Sequence, residues 1–265
     1  MKYEERIILF IDILGFTNRI YQEDKVKKLK ETLEYIETLF SNNIADDSLE
    51  FTQFSDSIVI TVPVNYPGGI YYIISDACFA IHALFKNEFI CKGYISVGKL
   101  YHKGNLLFGP EFINVMKQEA LEDLPRIKFH KVLLEIAREF PGEGNKMYPE
   151  QEIEFISKYY EQIENTDFYE VTWRENYGDI VGGGNHDTKE QYKIIRNLIE
   201  SNIKGFKSIR VLKKYKYLSD KFNNSDYYAD KVDSTYSRKK YFYLLPKLLK
   251  ENISSYFVKR YWKNK

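Results

Sequence analysis

Two aspartates are of a type and spacing that could do chemistry together. Asp12 closes the apolar run Arg6–Asp12 (RIILFID), and Asp56 stands at the joint between two short extended segments, Leu49–Phe54 and Ser57–Val62. Paired carboxylates are hard oxygen ligands, suited to Mg²⁺ or Mn²⁺ held together with the phosphates of a substrate. The residues after Asp12 (Ile13, Leu14, Gly15, Phe16, Thr17, Asn18) lead through a tight turn towards a helix. Backbone N–H groups in such a turn and in the first turn of a helix attract phosphate oxygens. On composition alone, the two acids read equally well as exposed strand ends.

Other reactive side chains are sparse. His82 lies on an apolar helix and reads as a boundary residue. His102, in the turn Tyr101-His102-Lys103-Gly104, is near enough in sequence to touch a substrate. His130 and His186 have no companion at ligand spacing, which argues against zinc. Cys78 and Cys91 cannot make a disulfide scaffold, and neither has the basic neighbours that mark a nucleophile. Gly182-Gly183-Gly184 reads as a mobile loop, because neither a strand before it nor a capped helix after it completes a dinucleotide fingerprint.

The elements that must position these residues follow from periodicity. Arg6–Asp12 is expected as a strand buried on both faces. Asp24 caps a helix to Phe40 that places Val26, Leu29, Leu33, Ile36 and Phe40 on one side. The segments flanking Ser55-Asp56 form a hairpin, and Ile70 to Phe85 carries the clearest amphipathic helix. Phe89–Leu100 returns as a strand, Leu106–Phe108 as a short one, and Gly109-Pro110 opens a helix to about Ala120. The order strand, helix, strand, strand, helix, strand is the split, ferredoxin-like βαββαβ arrangement, with helices on one sheet face and the other face free. Beyond it, Ile127–Phe129 and Phe168–Thr172 are expected as strands, and Lys131–Phe140 and Glu150–Ile163 as helices. Further helices are expected at Lys189–Ile203, Lys207–Phe222 and Tyr241–Phe257.

The chain has 265 residues, 44% of them hydrophobic and 29% charged, enough to bury a core. No apolar run approaches the roughly 20 residues needed to span a bilayer, and the N-terminus does not read as a secretory signal. A reduced, cytoplasmic protein is expected. The net charge of +1 conceals an asymmetry: residues 201–265 carry 17 Lys/Arg against 5 Asp/Glu, whereas residues 1–200 carry 22 against 33. The basic arm is rich in Tyr, Phe and Leu, which favours docking on an acidic body over binding a polyanion. Leu244, Leu245, Leu248, Leu249, Ile253 and Phe257 would form its buried stripe.

FIDILGFTNRI resembles the first metal-binding segment of the class III nucleotidyl cyclases, and FTQFSDSIVITVP the segment carrying their second metal-binding Asp. The separation of Asp12 and Asp56, 44 residues, fits that family. ICKGYISVGKLYHKGNLLFGPEFINVMKQEA resembles its third segment. FSDS, the FGP helix start and KYKYLSDKFN look most like the pyrimidine nucleotide cyclases of the Pycsar anti-phage systems. The resemblance implies that Asp12, Asp56 and the carbonyl of Ile13 hold two divalent ions, Mg²⁺ or Mn²⁺. It implies that Leu14, Gly15, Phe16 and Thr17 cradle the triphosphate. Lys117 falls at the position of the transition-state Arg, with Lys92, Lys99 and Arg126 as runners-up of solvated-surface type. The family's Asn position holds Ile113, with Asn114 beside it, so that part of the pattern departs. Thr52 stands where purine cyclases read the base. Phe54, Tyr94, Tyr101 and Leu106 lie near it in the motifs and suit a smaller pyrimidine.

The fold expected is α/β (α+β): a ferredoxin-like βαββαβ class III cyclase core with a helical insertion and a C-terminal helical arm. The catalytic domain is placed at 1–180, with the insertion at about 130–165, and the basic helical region at 188–265. The activity implied is closure of UTP to 3′,5′-cyclic UMP with release of pyrophosphate, CTP being the close second. A homodimer with sites at its interface is implied, and no nucleic acid or transmembrane partner. The competing readings are a nucleotide-binding sensor without catalysis and an RNA-binding ferredoxin-like module.

Overall fold

The computed structural model describes residues 2–42, 48–173, 185–204 and 208–224, with residues 178 and 232 besides. The chain divides into two compact units, Met1–Ile195 and Arg196–Lys265.

The first unit is organised around β1 (Glu4–Leu14), whose residues Arg6 to Ile11 are all buried. Its β-branched and aromatic run suits a strand packed on both faces. β1 pairs antiparallel with β3 (Ser57–Pro63), from Arg6 opposite Pro63 to Asp12 opposite Ser57. On its other side it pairs antiparallel with β4 (Ile90–Lys103), from Glu4 opposite Leu100 to Leu14 opposite Ile90. β2 (Glu50–Phe54) joins β3 as a hairpin whose turn holds Ser55 at φ 56°. The order β2-β3-β1-β4, with its crossover helices, is the expected ferredoxin-like core.

Two helical layers cover the sheet. α1 (Phe16–Ile20), α2 (Glu23–Asn42) and α3 (Gly69–Lys86) form the connections after β1 and β3. α3 packs on β1, β3 and β4, with Ile73, Ile74, Ala77, Cys78, Ala80 and Leu84 buried. Each fully buried aliphatic side chain contributes about 1.5–3 kcal/mol. The other face carries a second core of Ile8, Phe10, Val59, Tyr94, Leu100 and Val115, with Leu107, Phe112 and Phe168 against it. Val115 and Phe112 belong to α4 (Pro110–Ala120), which follows the short strand β5 (Leu106–Phe108). Gly109 begins that helix at φ 143°, and a Cβ there would lie 2.7 Å from the Leu100 Cα. Only glycine permits so close a turn. The face expected to be free is therefore covered by α4.

Past α4 the sheet grows instead of ending. β6 (Ile127–His130) pairs parallel with β4, and β8 (Phe168–Val171) pairs antiparallel with β6. β7 (Tyr160–Gln162) completes the order β2-β3-β1-β4-β6-β8-β7, with β5 paired to β4. Between them lie α5 (Val132–Glu139) and α6 (Pro149–Ile156). The helix expected to reach Ile163 ends seven residues sooner, at Ile156, because the following chain is drawn into the sheet. The insertion is thus mixed helix and strand. Asp24 also departs from expectation: α2 starts at Glu23, placing Asp24 inside the first turn, and Val26 is exposed while Leu29, Ile36 and Phe40 are buried.

Helix α7 (Asn185–Lys204) crosses the boundary between the two units, and α8 (Ile209–Asn223) lies in the second. Ser208 caps α8, its side chain accepting from the Val211 N–H, and Leu212, Tyr215, Leu218 and Phe222 are buried. The expected glycine loop at 182–184 and the helix Tyr241–Phe257 with its leucine stripe lie outside the described residues. No helix among the described residues is long and apolar enough to cross a membrane.

Candidate active site

The two aspartates meet at one end of the central strand. The Ile13 N–H donates to the Asp56 carbonyl at 2.8 Å, which ties the tip of the β2–β3 hairpin to the residue after Asp12. Asp12 itself faces Ser57 on β3 and Lys92 on β4. Both aspartates are half-buried. β1 runs two residues beyond Asp12, so this acid lies within the paired strand and not at its exit. Burial pushes the Cys91 thiol up to about 12, and the nearby Asp12 charge adds to the shift. Cys91 is therefore inert, and the carboxylate beside it sits in weakly screened surroundings.

Gly15 follows at φ 79°, a left-handed conformation that turns the chain out of β1 and into α1. Gly15 and Thr17 are exposed and Leu14 and Phe16 half-buried, so the backbone of this turn lines the same end of the strand as Asp12. Two carboxylates, a strand-end carbonyl at Ile13 and a turn of backbone donors form an oxygen-rich set that fits divalent ions and phosphate. Among the described residues, no group of three or more His, Cys, Asp or Glu is arranged to hold a metal. A metal here would thus complete its shell from carbonyls, water or substrate.

Register places the other candidates. Residues directly opposite on neighbouring strands share a face. Phe54, Ser57 and Asp12 form one such row; Thr52, Val59, Phe10 and Tyr94 form the next. Phe54 is exposed, with its ring set edge-on to Phe112 at 6.5 Å between centroids. Tyr94 is buried in the second core, and Tyr101 is stacked on Phe108 at 5.2 Å. Leu106 is exposed. Thr52 is buried, its hydroxyl donating to the Gly104 carbonyl at 2.7 Å and lying 2.8 Å from His102 Nε2.

The cations are distributed differently from expectation. Lys117 is exposed, about 200° around α4 from the inward-facing Val115 and Glu119. Lys92 is no surface charge: it is buried, paired with Glu119 at 2.7 Å and donating to the Glu119 and Glu122 carbonyls. Arg126 is likewise engaged, with Glu122 at 3.0 Å and Glu170 at 3.4 Å, and Lys128 joins Glu122 at 3.0 Å. Lys99 is exposed. Ile113 and Asn114 are both exposed on α4, Asn114 donating to Glu111 at 2.8 Å.

Two networks were not anticipated from sequence. Glu122, Arg126, Lys128 and Glu170 bind β6, β8 and the chain after α4 together. Glu122 is held below its ordinary carboxylate value: burial raises it, but the Leu124 N–H and the Lys128 and Arg126 charges outweigh burial. The second network is Arg6–Thr61–His102–Thr52. His102 lies on β4 and is buried, not on a turn, with Nδ1 2.9 Å from Thr61 Oγ1. Arg6 Nε donates to that same hydroxyl at 2.9 Å. Burial, then the Arg6 charge, lower the His102 pKa to about 4, against a small opposing effect of the Gly104 carbonyl. His82 is buried as well, not a boundary residue, and its carbonyl accepts from Gln191 Nε2 at 3.2 Å. The signal for the second network was present: Arg6, Ile8, Phe10 and Asp12 alternate onto one face, and Thr61 interrupts an apolar strand.

A ferredoxin-like α/β domain with one carboxylate among the last paired residues of its central strand and a second on the adjacent hairpin turn is thus the class that fold and site define. No family model matches the chain, and no curated protein matches it. Solved structures similar to it include the guanylate cyclase domain of RhGC from Catenaria anguillulae in complex with GTP. It is 14% identical at a TM-score of 0.42, over 65% of this chain and 98% of that one. The adenylyl cyclase CyaB from P. aeruginosa is 11% identical at a TM-score of 0.41, over 64% and 95%. A bacterial light-regulated adenylyl cyclase is 14% identical at a TM-score of 0.42, over 75% and 100%.

Proposed function

We propose that the chain is a nucleotidyl cyclase that closes a pyrimidine nucleoside triphosphate, UTP or CTP, to its 3′,5′-cyclic monophosphate. The observation that carries this reading is the Ile13–Asp56 hydrogen bond, which sets the second aspartate of the hairpin beside Asp12 at the mouth of the Gly15 turn. The sequence motifs at these same positions support it. In the reaction the ribose 3′-oxygen attacks the α-phosphorus, the bond to the β-phosphate oxygen breaks, and pyrophosphate and the 3′-OH proton depart. Asp12, Asp56 and the Ile13 carbonyl would hold Mg²⁺ or Mn²⁺, which supplies Lewis acidity to the α-phosphate and the attacking oxygen. Leu14 to Thr17 orient the triphosphate through their backbone, while Thr52 and Phe54 meet the base.

Lys117 is proposed as the cation for the charge that develops on the α-phosphate. Its place on the solvent side of α4 leaves it open to a second copy, whose site it would serve across a homodimer. Resemblance to the Pycsar cyclases extends the proposal to second-messenger synthesis in anti-phage defence. The test is incubation of the purified chain with each of ATP, GTP, CTP and UTP and Mn²⁺, with products identified by mass spectrometry. A cyclic pyrimidine nucleotide is expected; absence of any cyclic product would sink the reading, and a purine product would sink its pyrimidine part.

A further inference from the structure

The Thr52 hydroxyl has one proton and two lone pairs to give. The Gly104 carbonyl can only accept, and an oxygen–oxygen contact of 2.7 Å with it is attractive only when the Thr52 proton lies between them. That spends the proton. His102 Nε2, at 2.8 Å, must then be the nitrogen that carries hydrogen, donating into one Thr52 lone pair. The other side of the ring agrees. Arg6 Nε donates to Thr61 Oγ1, which leaves the Thr61 proton free for a bare Nδ1 at 2.9 Å. The chain runs in one direction, from Arg6 through Thr61 and His102 to Thr52 and the Gly104 carbonyl. It requires a neutral, Nε2-protonated His102, and the low pKa of this buried ring is consistent with that form. Thr52 is left with a single free lone pair and nothing to donate.

Position completes the argument. Thr52 shares the sheet face of Asp12, two strands across and one row along. Strand spacing and rise put the two Cα atoms about 12 Å apart. That span suits a nucleotide whose phosphate lies at Asp12 and whose base points along the face past Phe54. With the base so placed, Thr52 would meet its tip, the ring position opposite the glycosidic nitrogen. In uracil that position carries a carbonyl, which needs a donor; in cytosine it carries an amine, which needs an acceptor.

Resting on the cyclase reading above, we infer that this site takes a base with an amine at its tip, so that CTP and not UTP is its pyrimidine substrate. This reverses the order expected from sequence. Arg6, Thr61 and His102 are positioning residues: they fix the polarity of Thr52 without touching the nucleotide. A carbonyl placed against Thr52 would face a lone pair and leave two acceptors opposed in a buried setting, the arrangement that gives strong discrimination.

The experiment compares kcat/KM and equilibrium binding for CTP, UTP and the CTP analogue lacking the 4-amino group. CTP is expected to exceed UTP at least about tenfold, with the analogue falling to the level of UTP. Thr52→Ser keeps the acceptor and should keep the preference. Thr52→Val removes it and should bring the ratio towards one, chiefly through a raised KM for CTP. The ¹⁵N spectrum of His102 should show hydrogen on Nε2 and not on Nδ1. A preference for UTP, a preference that survives Thr52→Val in folded protein, or an Nδ1–H tautomer would overturn the inference. If no triphosphate is turned over, the cyclase reading fails; binding that still favours CTP over UTP supports the inference, and binding of neither or both equally overturns it.

Discussion

Asp12 and Asp56 owe their proximity to backbone bonding, so their side chains can be altered without loosening the frame that joins them. The Ile13–Asp56 bond uses an amide and a carbonyl, and register pairs Asp12 with Ser57 and Lys92 through the main chain. Asp12→Asn and Asp56→Asn should each lower turnover by at least about a hundredfold, as loss of a group acting on the developing charge does. Thermal unfolding should stay close to that of the parent. An Asp56→Asn chain that cyclises at the parental rate would remove Asp56 from the chemistry. His102 makes a second residue-scale prediction. Its folded pKa, about 4, lies below the unfolded value of 6.5. The unfolded chain therefore binds a proton first on acidification, and stability falls as pH drops from about 6.5 towards 4. Above that window the contribution is complete; below it no further loss arises from this group. Urea titrations at steps of pH should show the slope, and His102→Gln should flatten it.

At the scale of elements, β4 holds the domain together. It pairs with β1 along its length and with β6 at Gly93, Tyr94 and Ile95. A Cβ on Gly93 would run into the Phe10 carbonyl oxygen and press on Ile127. Gly93→Ala should therefore cost about 1–3 kcal/mol, and the same strand shift should displace Lys92 and its neighbours at the site end. Denaturant midpoints would reveal it; an unchanged midpoint would mean that β1 and β4 part easily. These elements were also the legible ones. The βαββαβ order, the hairpin at Ser55-Asp56 and the glycine before α4 could be read because long apolar runs and obligate turns encode them locally. β8 could be read too, as the strand expected at Phe168–Thr172, but β7 could not. It is only three residues long, and the Ile153–Ile163 spacing is helical until pairing with β8 overrides it. The candidate acids were legible as residues beside those strands, but it was the resemblance of the flanking motifs, not periodicity, that singled them out as a metal pair. The partners of Lys92 and His102 were not legible, because they are gathered from segments distant in sequence, and Arg126 joins the near Glu122 to the distant Glu170.

For the whole molecule, the outward placement of Lys117 makes a prediction about assembly. If each site combines Asp12 and Asp56 of one chain with Lys117 of another, two inactive variants should repair each other. Equal mixing of Asp56→Ala and Lys117→Ala chains gives half mixed dimers, each with one intact site. About a quarter of the parental activity should return. Either variant alone stays inactive, and mixing without recovery would place all three residues in one chain or remove Lys117 altogether. The charge asymmetry of the sequence belongs to this scale too, since the excess of Lys and Arg falls within Arg196–Lys265, a unit separate from the one that carries the aspartates.

The central position of β1 also bears on how the protein is made. This strand is synthesised well before its partner β4, whose pairing with it runs to Leu100 opposite Glu4. At about 5–20 residues per second, the run Ile7–Ile13 must wait roughly 5–20 s beyond the ribosome before that pairing can close. During the delay a largely apolar, Ile-rich stretch, with Asp12 as its one charge, is open to the wrong neighbour. Slower translation through β4 should therefore lower the soluble yield, and a bound holdase should restore it.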